Sequence, residues 1–314
     1  MTSEFELIKR YFTKKNRQTK LGIGDDAAII QIQKNHELVI SSDMLVEGIH
    51  FIKNTNPSHL GWKSLAVNLS DISAMGAQPK WATLSISLPK VDPIWLKKFS
   101  QGFFKCAKKF NIDLIGGDTT KGPLSISITI MGEIKKNKSL LRSGAQIGDD
   151  IWVTGELGNA SMGLACLQRK LKLSPTLKTK CIKSLQTPVP KVFFGLTLPR
   201  YAKSCIDVSD GLIQDLTHIT KSSKVGATLF IEKIPCNAAI KTSKKYHYAL
   251  NGGDDYELLF TAPKKYSSHI QKISKKTKII TTRIGVITNQ PSISILDRHG
   301  KLVSFKNKGY DHFA

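Results

Sequence analysis

Residues 205–221 read CIDVSDGLIQDLTHITK, which joins a short apolar segment, an acidic turn and an amphipathic segment. The apolar residues at 205–208 predict a strand, and the helical period of the apolar residues over 211–221 predicts a helix that begins just after Asp210. The turn between them carries Asp207, Ser209 and Asp210. Because short apolar strands alternate with helical segments elsewhere in the chain too, the sequence predicts a mixed α/β fold.

The same patterns predict further elements. Helices are expected over 4–13, over 58–74 with Ser58 as a possible N-cap, and from Pro93 onward with Asp92 as the N-cap. The second of these helices carries Asp71. Strands are expected over 27–32, 38–42, 81–88, 112–115, 124–131, 151–154, 256–262 and 279–287. Asp118 is therefore expected on a loop at a strand end, where residues 116–120 read GGDTT.

The chain has 314 residues, of which 40% are hydrophobic, so about two domains with sizeable cores are expected. A change of composition over 135–150 places a boundary that gives domains 1–137 and 148–314. No segment approaches the roughly 18 consecutive apolar residues of a membrane span. Because the N-terminus also lacks a signal-peptide pattern, a cytoplasmic protein without a membrane partner is expected. Five scattered cysteines without C-x-x-C spacing indicate buried thiols in a reducing compartment.

The formal net charge is +23, from 47 Lys and Arg against 24 Asp and Glu. Such a surplus is compatible with binding to an acidic polymer. The lysine pairs are spread along the whole chain, however, and no basic block with interleaved aromatic residues occurs. We therefore expect no specific nucleic-acid partner, and a polyanion-binding role stays an alternative.

The carboxylates are the more informative charges. Nine of the 24 lie in six short clusters rich in Gly or Ser, at 22–26, 41–43, 68–71, 116–120, 207–211 and 252–255. Oxygen ligands beside flexible turns are typical of Mg²⁺ held between a protein and phosphate groups. The chain has neither a G-x-x-x-x-G-K-[ST] loop nor an H-E-x-x-H motif. The G-x-G-x-x-A match at 22–27 is rejected as a dinucleotide fingerprint, because a strand-like segment and not a helix follows it.

Six longer motifs contain these clusters: GIGDDA (22–27), SSDMLVEGIHF (41–51), LAVNLSDISAMGA (65–77), LIGGDTTKGP (114–123), IDVSDGLIQDL (206–216) and GGDDYEL (252–258). Together, in this order and spacing, they resemble the bacterial thiamine-monophosphate kinase family. That family belongs to the superfamily of aminoimidazole-ribonucleotide synthetase and selenophosphate synthetase, whose members use ATP without a P-loop. The resemblance runs from about residue 4 to the C-terminal KGYDHF segment, which covers nearly the whole chain.

The resemblance implies an enzyme that phosphorylates thiamine monophosphate to thiamine diphosphate with ATP and several Mg²⁺ ions, the last step of thiamine diphosphate synthesis. It implies direct in-line transfer, a two-domain fold like that of aminoimidazole-ribonucleotide synthetase, and a homodimer formed through the N-terminal sheet. The acceptor is a phosphate monoester with a second pKa of about 6, so it is largely ionised without a general base. We expect catalysis by positioning and charge neutralisation, with no covalent phosphoenzyme.

Carried over motif by motif, the resemblance implies three sets of site residues. The implied metal ligands are Asp26, Ser41, Ser42, Asp43, Asp71, Asp118, Asp207 and Asp210. The implied ATP contacts are Gly117, Asp118, Arg142 and Ser209, and the implied substrate contacts are His50, Asp254 and Tyr310. No catalytic residue is implied beyond the metal and ATP ligands, with Asp71, Asp118 and Asp210 the most critical. Position 254 is often Glu in this family, so the shorter Asp254 changes the reach of that contact.

One further alternative is another ATP-dependent member of the superfamily, which would activate a carboxamide or selenide. Selenophosphate synthetase needs a reactive cysteine or selenocysteine near its N-terminus, whereas the first cysteine here is Cys106. A polyanion-binding role would leave the six acidic clusters without an explanation.

Overall fold

The computed structural model describes residues 4–305 and 309. The chain divides into two compact units. The first takes the residues up to Ile72 together with Ala77–Asn137, and the second takes Ser73–Gly76 together with the residues from Lys138 onward. The boundaries 1–137 and 148–314 stay a prediction about where independently folding domains begin and end.

The first unit contains a four-stranded sheet in the order β1-β4-β2-β3. Its strands are β1 (His36–Val46), β2 (Gln78–Leu88), β3 (Asp113–Lys121) and β4 (Ser125–Lys135). Strand β4 pairs antiparallel with β1 and β2, whereas β3 pairs parallel with β2. The helices are α1 (Glu4–Leu7), which continues as a π-helix (Ile8–Phe12), α2 (Pro57–Ala74) and α3 (Pro93–Phe110).

Local signals account for the first residues of α2 and α3. The Asp92 carboxylate accepts from the backbone N–H groups of Ile94 and Trp95, and Pro93 opens α3 as predicted. The expected Ser58 cap of α2 is wrong. The helix begins at Pro57, and the side-chain oxygen of Asn56 accepts from the Ser58 N–H at 2.9 Å, because Asn56 is the residue just outside the helix.

The two faces of the first sheet differ in burial. Strand β4 turns Ile126, Ile128 and Ile130 inward, and all three are at most 1% exposed. On the opposite face of β1, Ile40 and Met44 are 58% and 57% exposed. The period of two along β1 therefore separates a buried face from a face whose large apolar side chains meet solvent in the single chain.

Three other predicted local features of the first unit are wrong. Residues 27–32 form no strand, and Ile29 makes only an isolated bridge with Leu21. Strand β1 runs on to Val46, so the 41–43 cluster lies inside the strand and not at its end. Strand β3 runs on to Lys121, so Asp118 lies within a strand and not on a loop.

The second unit contains a six-stranded sheet in the order β10-β7-β9-β5-β8-β6, in which only β10 and β7 pair in parallel. Its strands are β5 (Asp150–Thr154), β6 (Ser204–Val208), β7 (Gly226–Phe230), β8 (Glu257–Ala262), β9 (Thr281–Thr288) and β10 (Ile293–Leu296). Its α-helices are α4 (Asn159–Leu167), α5 (Pro175–Gln186), α6 (Val192–Gly195), α7 (Leu212–Ser223), α8 (Ala238–Ser243), α9 (His247–Leu250) and α10 (Ser267–Thr277). Three short 3₁₀ segments are Leu198–Arg200, Ile231–Lys233 and Lys264–Tyr266.

The second sheet is covered on both faces. Along β5, Ile151 and Val153 join one apolar cluster while Trp152 joins another, and along β8 the same split separates Leu259 from Phe260. The sequence of a strand that is buried on both faces is a continuous apolar run, which explains why β5, β6 and β8 are recognisable in the sequence. The predicted α/β class is confirmed.

All five cysteines are buried and free of disulfides, as predicted. Burial raises the pKa of the Cys106 and Cys205 thiols far above their usual range. Among the described residues, no helix is both long and apolar enough to cross a membrane.

Candidate active site

Strand β1 and helix α2 bring three of the predicted metal ligands to one face. The Ser41 hydroxyl donates to Oδ2 of Asp71 at 2.5 Å. The Asp43 N–H donates to the side-chain oxygen of Asn68, one turn before Asp71 on α2, at 3.1 Å. Because Ser41 and Asp43 are two residues apart on β1, their side chains leave the strand on the side that α2 covers.

Ser42 lies apart from those three residues. Its hydroxyl is 3.1 Å from Oγ1 of Thr129 and donates to the Ile128 carbonyl at 3.2 Å, on β4. A residue between two others on a strand points to the opposite face. The structure therefore does not bring the Ser42 side chain to the Ser41–Asp71 pair.

A cavity of about 780 Å³ on the first unit joins two of the acidic motifs. Asp25 and Asp26 enter it from the 22–27 loop, and Gly117 and Asp118 enter it from β3. Its apolar wall is formed by side chains of the N-terminal helical segment and of strands β2 and β3, namely Ile8, Phe12, Leu84, Ile86, Leu114 and Ile115. The cavity thus combines an apolar wall with a rim of carboxylates, and Lys9 also lines it.

The path of β3 places Gly117 against the backbone of β2. The β2–β3 register shifts between Ala82 and Thr83, so β3 carries one extra residue just before the two glycines. Gly117 has a φ of +143°, and a Cβ there would lie 1.8 Å from the Leu84 carbonyl oxygen. Only glycine fits this conformation and this close approach, and both let β3 continue through Asp118.

His50 closes the turn that follows β1. Its Nδ1 accepts from the Val46 N–H at 3.0 Å, while its own backbone N–H donates to the Val46 carbonyl. Lys63 of α2 donates to the His50 carbonyl at 3.4 Å. Because Nδ1 is the acceptor, the ring proton lies on Nε2, which is the nitrogen that can donate to a ligand.

In the second unit, the turn between β6 and α7 carries Asp207, Ser209 and Asp210. Asp207 is buried on β6, whereas Ser209 and Asp210 are half-buried just beyond the strand. Oδ2 of Asp215, in the first turn of α7, accepts from the backbone N–H groups of Ser209, Asp210 and Gly211 at 3.2 Å each. Burial, reinforced by the nearby Asp210, raises the pKa of Asp215 to about 7.

The 252–255 loop lies against this turn. The Asp254 N–H donates to the Ser209 carbonyl at 2.8 Å, and the Tyr256 N–H donates to the Val208 carbonyl at 2.8 Å. The Tyr256 hydroxyl donates to Oδ1 of Asp254 at 2.7 Å. Asp254 and Tyr256 both have positive φ, at 66° and 51°. Two motifs more than 40 residues apart in sequence thus form one local structure, and strained backbone of this kind concentrates at functional sites.

Arg142 lies in the same neighbourhood of the second unit. Its carbonyl accepts from the Ser223 hydroxyl at the end of α7 at 3.4 Å. Desolvation and then the positive charge of Arg142 lower the pKa of His218, on α7, while the charge of Asp210 acts in the opposite direction. Arg142 and Asp210 therefore both act on the same α7 side chain. Tyr310, the remaining predicted substrate contact, lies outside the described residues.

Sequence reasoning missed Asp215, Tyr256 and His218. Asp215 carried a detectable signal, because an acidic residue in the first turn of a helix is placed to meet unpaired backbone N–H groups. Tyr256 and His218 carried none, since the hydrogen bond from Tyr256 to Asp254 and the effect of the Arg142 charge on His218 depend on the fold.

Among residues 4–305 and 309, no three His, Cys, Asp or Glu side chains converge closely enough to form a metal site by themselves. The predicted ligands are nevertheless all oxygen donors, and the Ser41–Asp71 pair and the Asp25, Asp26 and Asp118 rim are partial sets. Mg²⁺ is usually held by one or two carboxylates together with phosphate and water. The donor set therefore fits Mg²⁺ that binds together with a phosphate ligand.

Comparison with known proteins shows the class to which this chain belongs. Residues 24–134 match the family model of the AIR synthase related protein N-terminal domain, and residues 146–298 match the model of its C-terminal domain. The fold and the acidic turns thus define an AIR synthase related protein.

Relatives with high sequence identity define the family within this class. The thiamine-monophosphate kinase of Buchnera aphidicola subsp. Acyrthosiphon pisum (strain APS) is 46% identical over 321 residues, which covers 99% of each chain. The crystal structure of thiamine-monophosphate kinase from Stenotrophomonas maltophilia K279a is 40% identical, with a TM-score of 0.84 over 91% of this chain and 92% of that one. The structure of AaThiL complexed with AMPPCP and TMP is 31% identical, with a TM-score of 0.78 over 93% and 92%.

The chain belongs to the thiamine-monophosphate kinase family. The resemblance inferred from the six motifs is thereby confirmed, as is the prediction that the chain is an enzyme of this family.

Proposed function

We propose that this chain transfers the γ-phosphoryl group of ATP directly to the phosphate of thiamine monophosphate and so forms thiamine diphosphate. The single observation that carries the proposal is the cavity of about 780 Å³ in which the 22–27 loop meets Gly117 and Asp118. It has a volume typical of a small-molecule site and combines apolar and acidic walls. The complex of AaThiL with AMPPCP and TMP supports the choice of substrates.

The nucleotide would bind with its base against the apolar wall and its phosphates toward the carboxylate rim. A bare phosphate chain would be repelled by Asp25, Asp26 and Asp118, so it would need cations between it and these side chains. We propose Asp26, Asp43, Asp71 and Asp118, with the Ser41 hydroxyl, as the Mg²⁺ ligands of the first unit. In the second unit, Asp207 and Asp210 are the proposed ligands. When bound, Mg²⁺ supplies charge neutralisation and orientation of the phosphates.

The chain's own groups have distinct tasks in this reaction. The guanidinium of Arg142 suits a bidentate contact with phosphate oxygens, and the Ser209 hydroxyl is a further proposed ATP contact. The Asp254 carboxylate, held by the Tyr256 hydroxyl, is proposed to face the cationic ring of thiamine monophosphate. Nε2–H of His50 is proposed to donate to the same substrate. Because the acceptor phosphate is already ionised near neutral pH, no side chain has to remove a proton from it.

We further propose a cytoplasmic homodimer that is formed through the exposed face of the first sheet. Support comes from Ile40 and Met44, which are more than half exposed on a regular strand. Large apolar side chains in such positions are typical of an interface.

The function is tested by incubating the purified protein with thiamine monophosphate, ATP and Mg²⁺ and separating thiamine diphosphate by chromatography. Asp71→Asn is expected to reduce turnover by at least about 100-fold, because it removes a ligand charge worth several kcal/mol in the transition state. Asp92→Asn is the matched control, since Asn still caps α3 and the same charge is removed outside the site. Product formation without Mg²⁺, or equal turnover of wild type and Asp71→Asn, would contradict the proposal.

A further inference from the structure

The turn between β6 and α7 is held by a carboxylate that is not among the proposed ligands. Asp215 is 1% exposed, and its Oδ2 lies 3.2 Å from the backbone nitrogens of Ser209, Asp210 and Gly211. Three convergent N–H groups on one oxygen form the type of anion-binding concavity that often receives a phosphate. Here the fold fills that concavity with its own carboxylate.

The turn is also fixed from its other side. The Asp215 N–H donates to the Gly211 carbonyl at 3.0 Å, and the Ser209 carbonyl accepts from Asp254 N–H at 2.8 Å. Gly211 has a φ of +115°, and a Cβ added there would lie within 3.0 Å of the Asn251 backbone. The turn therefore has little room to shift. With their N–H groups engaged by Asp215, Ser209 and Asp210 can donate hydrogen bonds to a ligand only through their side chains.

We propose that Asp215 is a positioning residue for phosphoryl transfer. It fixes the turn in the one shape that presents the Ser209 hydroxyl and the Asp210 carboxylate together, and it keeps the amides of the turn from binding phosphate directly. Nucleotide is then recognised at this turn through side chains and cations and not through the helix N-terminus. This inference rests on the proposed function for its ligand, but the contact itself can be tested without any turnover.

The test compares Asp215→Ala, which removes the acceptor, with Asp215→Asn, which restores a neutral oxygen of the same reach. The matched control is Asp149→Asn, because Asp149 is also buried in the second unit and accepts a turn N–H, that of Gln146 at 2.9 Å. Amide hydrogen exchange of residues 209–211 is followed by mass spectrometry without ligand. Steady-state kinetics then gives the Mg²⁺ concentration for half-maximal rate and the KM for thiamine monophosphate, and thermal denaturation verifies folding.

Exchange at 209–211 is expected to accelerate at least about 10-fold in Asp215→Ala and less in Asp215→Asn, because Ala removes the acceptor whereas Asn keeps an acceptor oxygen at the same place. The Mg²⁺ concentration for half-maximal rate is expected to rise by about 10-fold or more in Asp215→Ala and by less in Asp215→Asn. The KM for thiamine monophosphate stays near the wild-type value. If Asp215→Ala does not fold, Asp215→Asn alone is compared with wild type and with Asp149→Asn.

Unchanged exchange at 209–211, or an equal rise of the Mg²⁺ requirement in Asp149→Asn, would overturn the inference. If wild type shows no Mg²⁺-dependent turnover, the proposed function fails, while the exchange data still decide whether Asp215 fixes the turn. If wild type is active and the Asp215 variants match it in Mg²⁺ requirement, only the positioning role fails.

Discussion

A methyl group added at Gly117 is expected to destabilise the first unit and to damage the cavity at the same time. In Gly117→Ala the new Cβ would lie 1.8 Å from the carbonyl oxygen, 2.5 Å from the carbonyl carbon and 2.8 Å from the nitrogen of Leu84. All three atoms belong to the β2 backbone, so no rotation of a side chain can relieve the overlap. Strand β3 must move away from β2 at this point.

The magnitude follows from two contributions. A non-glycine residue at a φ of +143° costs about 1–3 kcal/mol, and each ladder hydrogen bond that is lost as the strands separate costs about 1 kcal/mol. Together they give about 3 kcal/mol, which lowers the Tm of the first unit by roughly 6–12 °C when that unit melts as one domain. Because Gly117 also lines the cavity, the affinity for an ATP analogue is expected to fall as well.

Gly116 provides the control one residue away. A Cβ at Gly116 would have Thr83 Cγ2 as its nearest neighbour at 3.8 Å, which is ordinary contact, and its φ is not positive. Thermal denaturation followed by circular dichroism should therefore leave Gly116→Ala close to wild type. If Gly117→Ala melts within about 2 °C of Gly116→Ala, the close approach of β3 and β2 at Gly117 is refuted.

Three further outcomes are expected. Lys191→Met leaves the buried Glu257 without the ammonium that lies 2.9 Å away and should destabilise the second unit by about 3–5 kcal/mol in denaturant titration. Adding Glu257→Gln should recover most of the lost stability, because it removes the unpaired buried charge. A double variant no more stable than Lys191→Met would contradict this account. Burial raises the pKa of Asp149 in the folded protein above its value of about 4 in the unfolded chain. As the pH rises from about 4 to the folded-state pKa, the unfolded chain loses this proton first, so the free energy of unfolding of wild type falls. The Tm of Asp149→Asn relative to wild type should therefore increase through this interval, and a constant difference would count against the raised pKa. Met44→Asp should convert a dimer to monomer in sedimentation equilibrium, whereas an unchanged mass would remove the exposed face of β1 from the proposed interface.

Elements defined by local chemistry were predictable from the sequence. Asp92 and Pro93 predict the start of α3. The apolar runs of β5, β6 and β8 predict strands because these strands are buried on both faces. The predicted strand over 27–32 failed because apolar composition alone cannot supply a neighbouring strand. Ile29 and Ile32 are 47% and 38% exposed there.

The candidate site was predictable as a set of motifs and not as a geometry. Ser41, Ser42 and Asp43 are adjacent in sequence, but alternation along β1 sends Ser42 to the face opposite the other two. Asp118 was expected on a loop because its cluster lies between the predicted strands 112–115 and 124–131, whereas the extra residue before Gly116 and the conformation of Gly117 let β3 continue. Asp215 carried the signal of an acidic residue in the first turn of a predicted helix, but that signal does not reveal that its carboxylate accepts from the N–H groups of residues 209–211.

The distribution of the buried thiols allows each unit to be followed separately. Cys106 is the single cysteine of the first unit, and the second unit contains Cys166, Cys181, Cys205 and Cys236. Burial with a raised pKa keeps the Cys106 and Cys205 thiols unreactive in the native state, so an alkylating reagent can label them only when the surrounding structure opens. The rate of labelling at Cys106 then reports the opening of the first unit in the unmodified protein. Comparison with Cys205 would show whether the two halves of this kinase-family chain open together or independently.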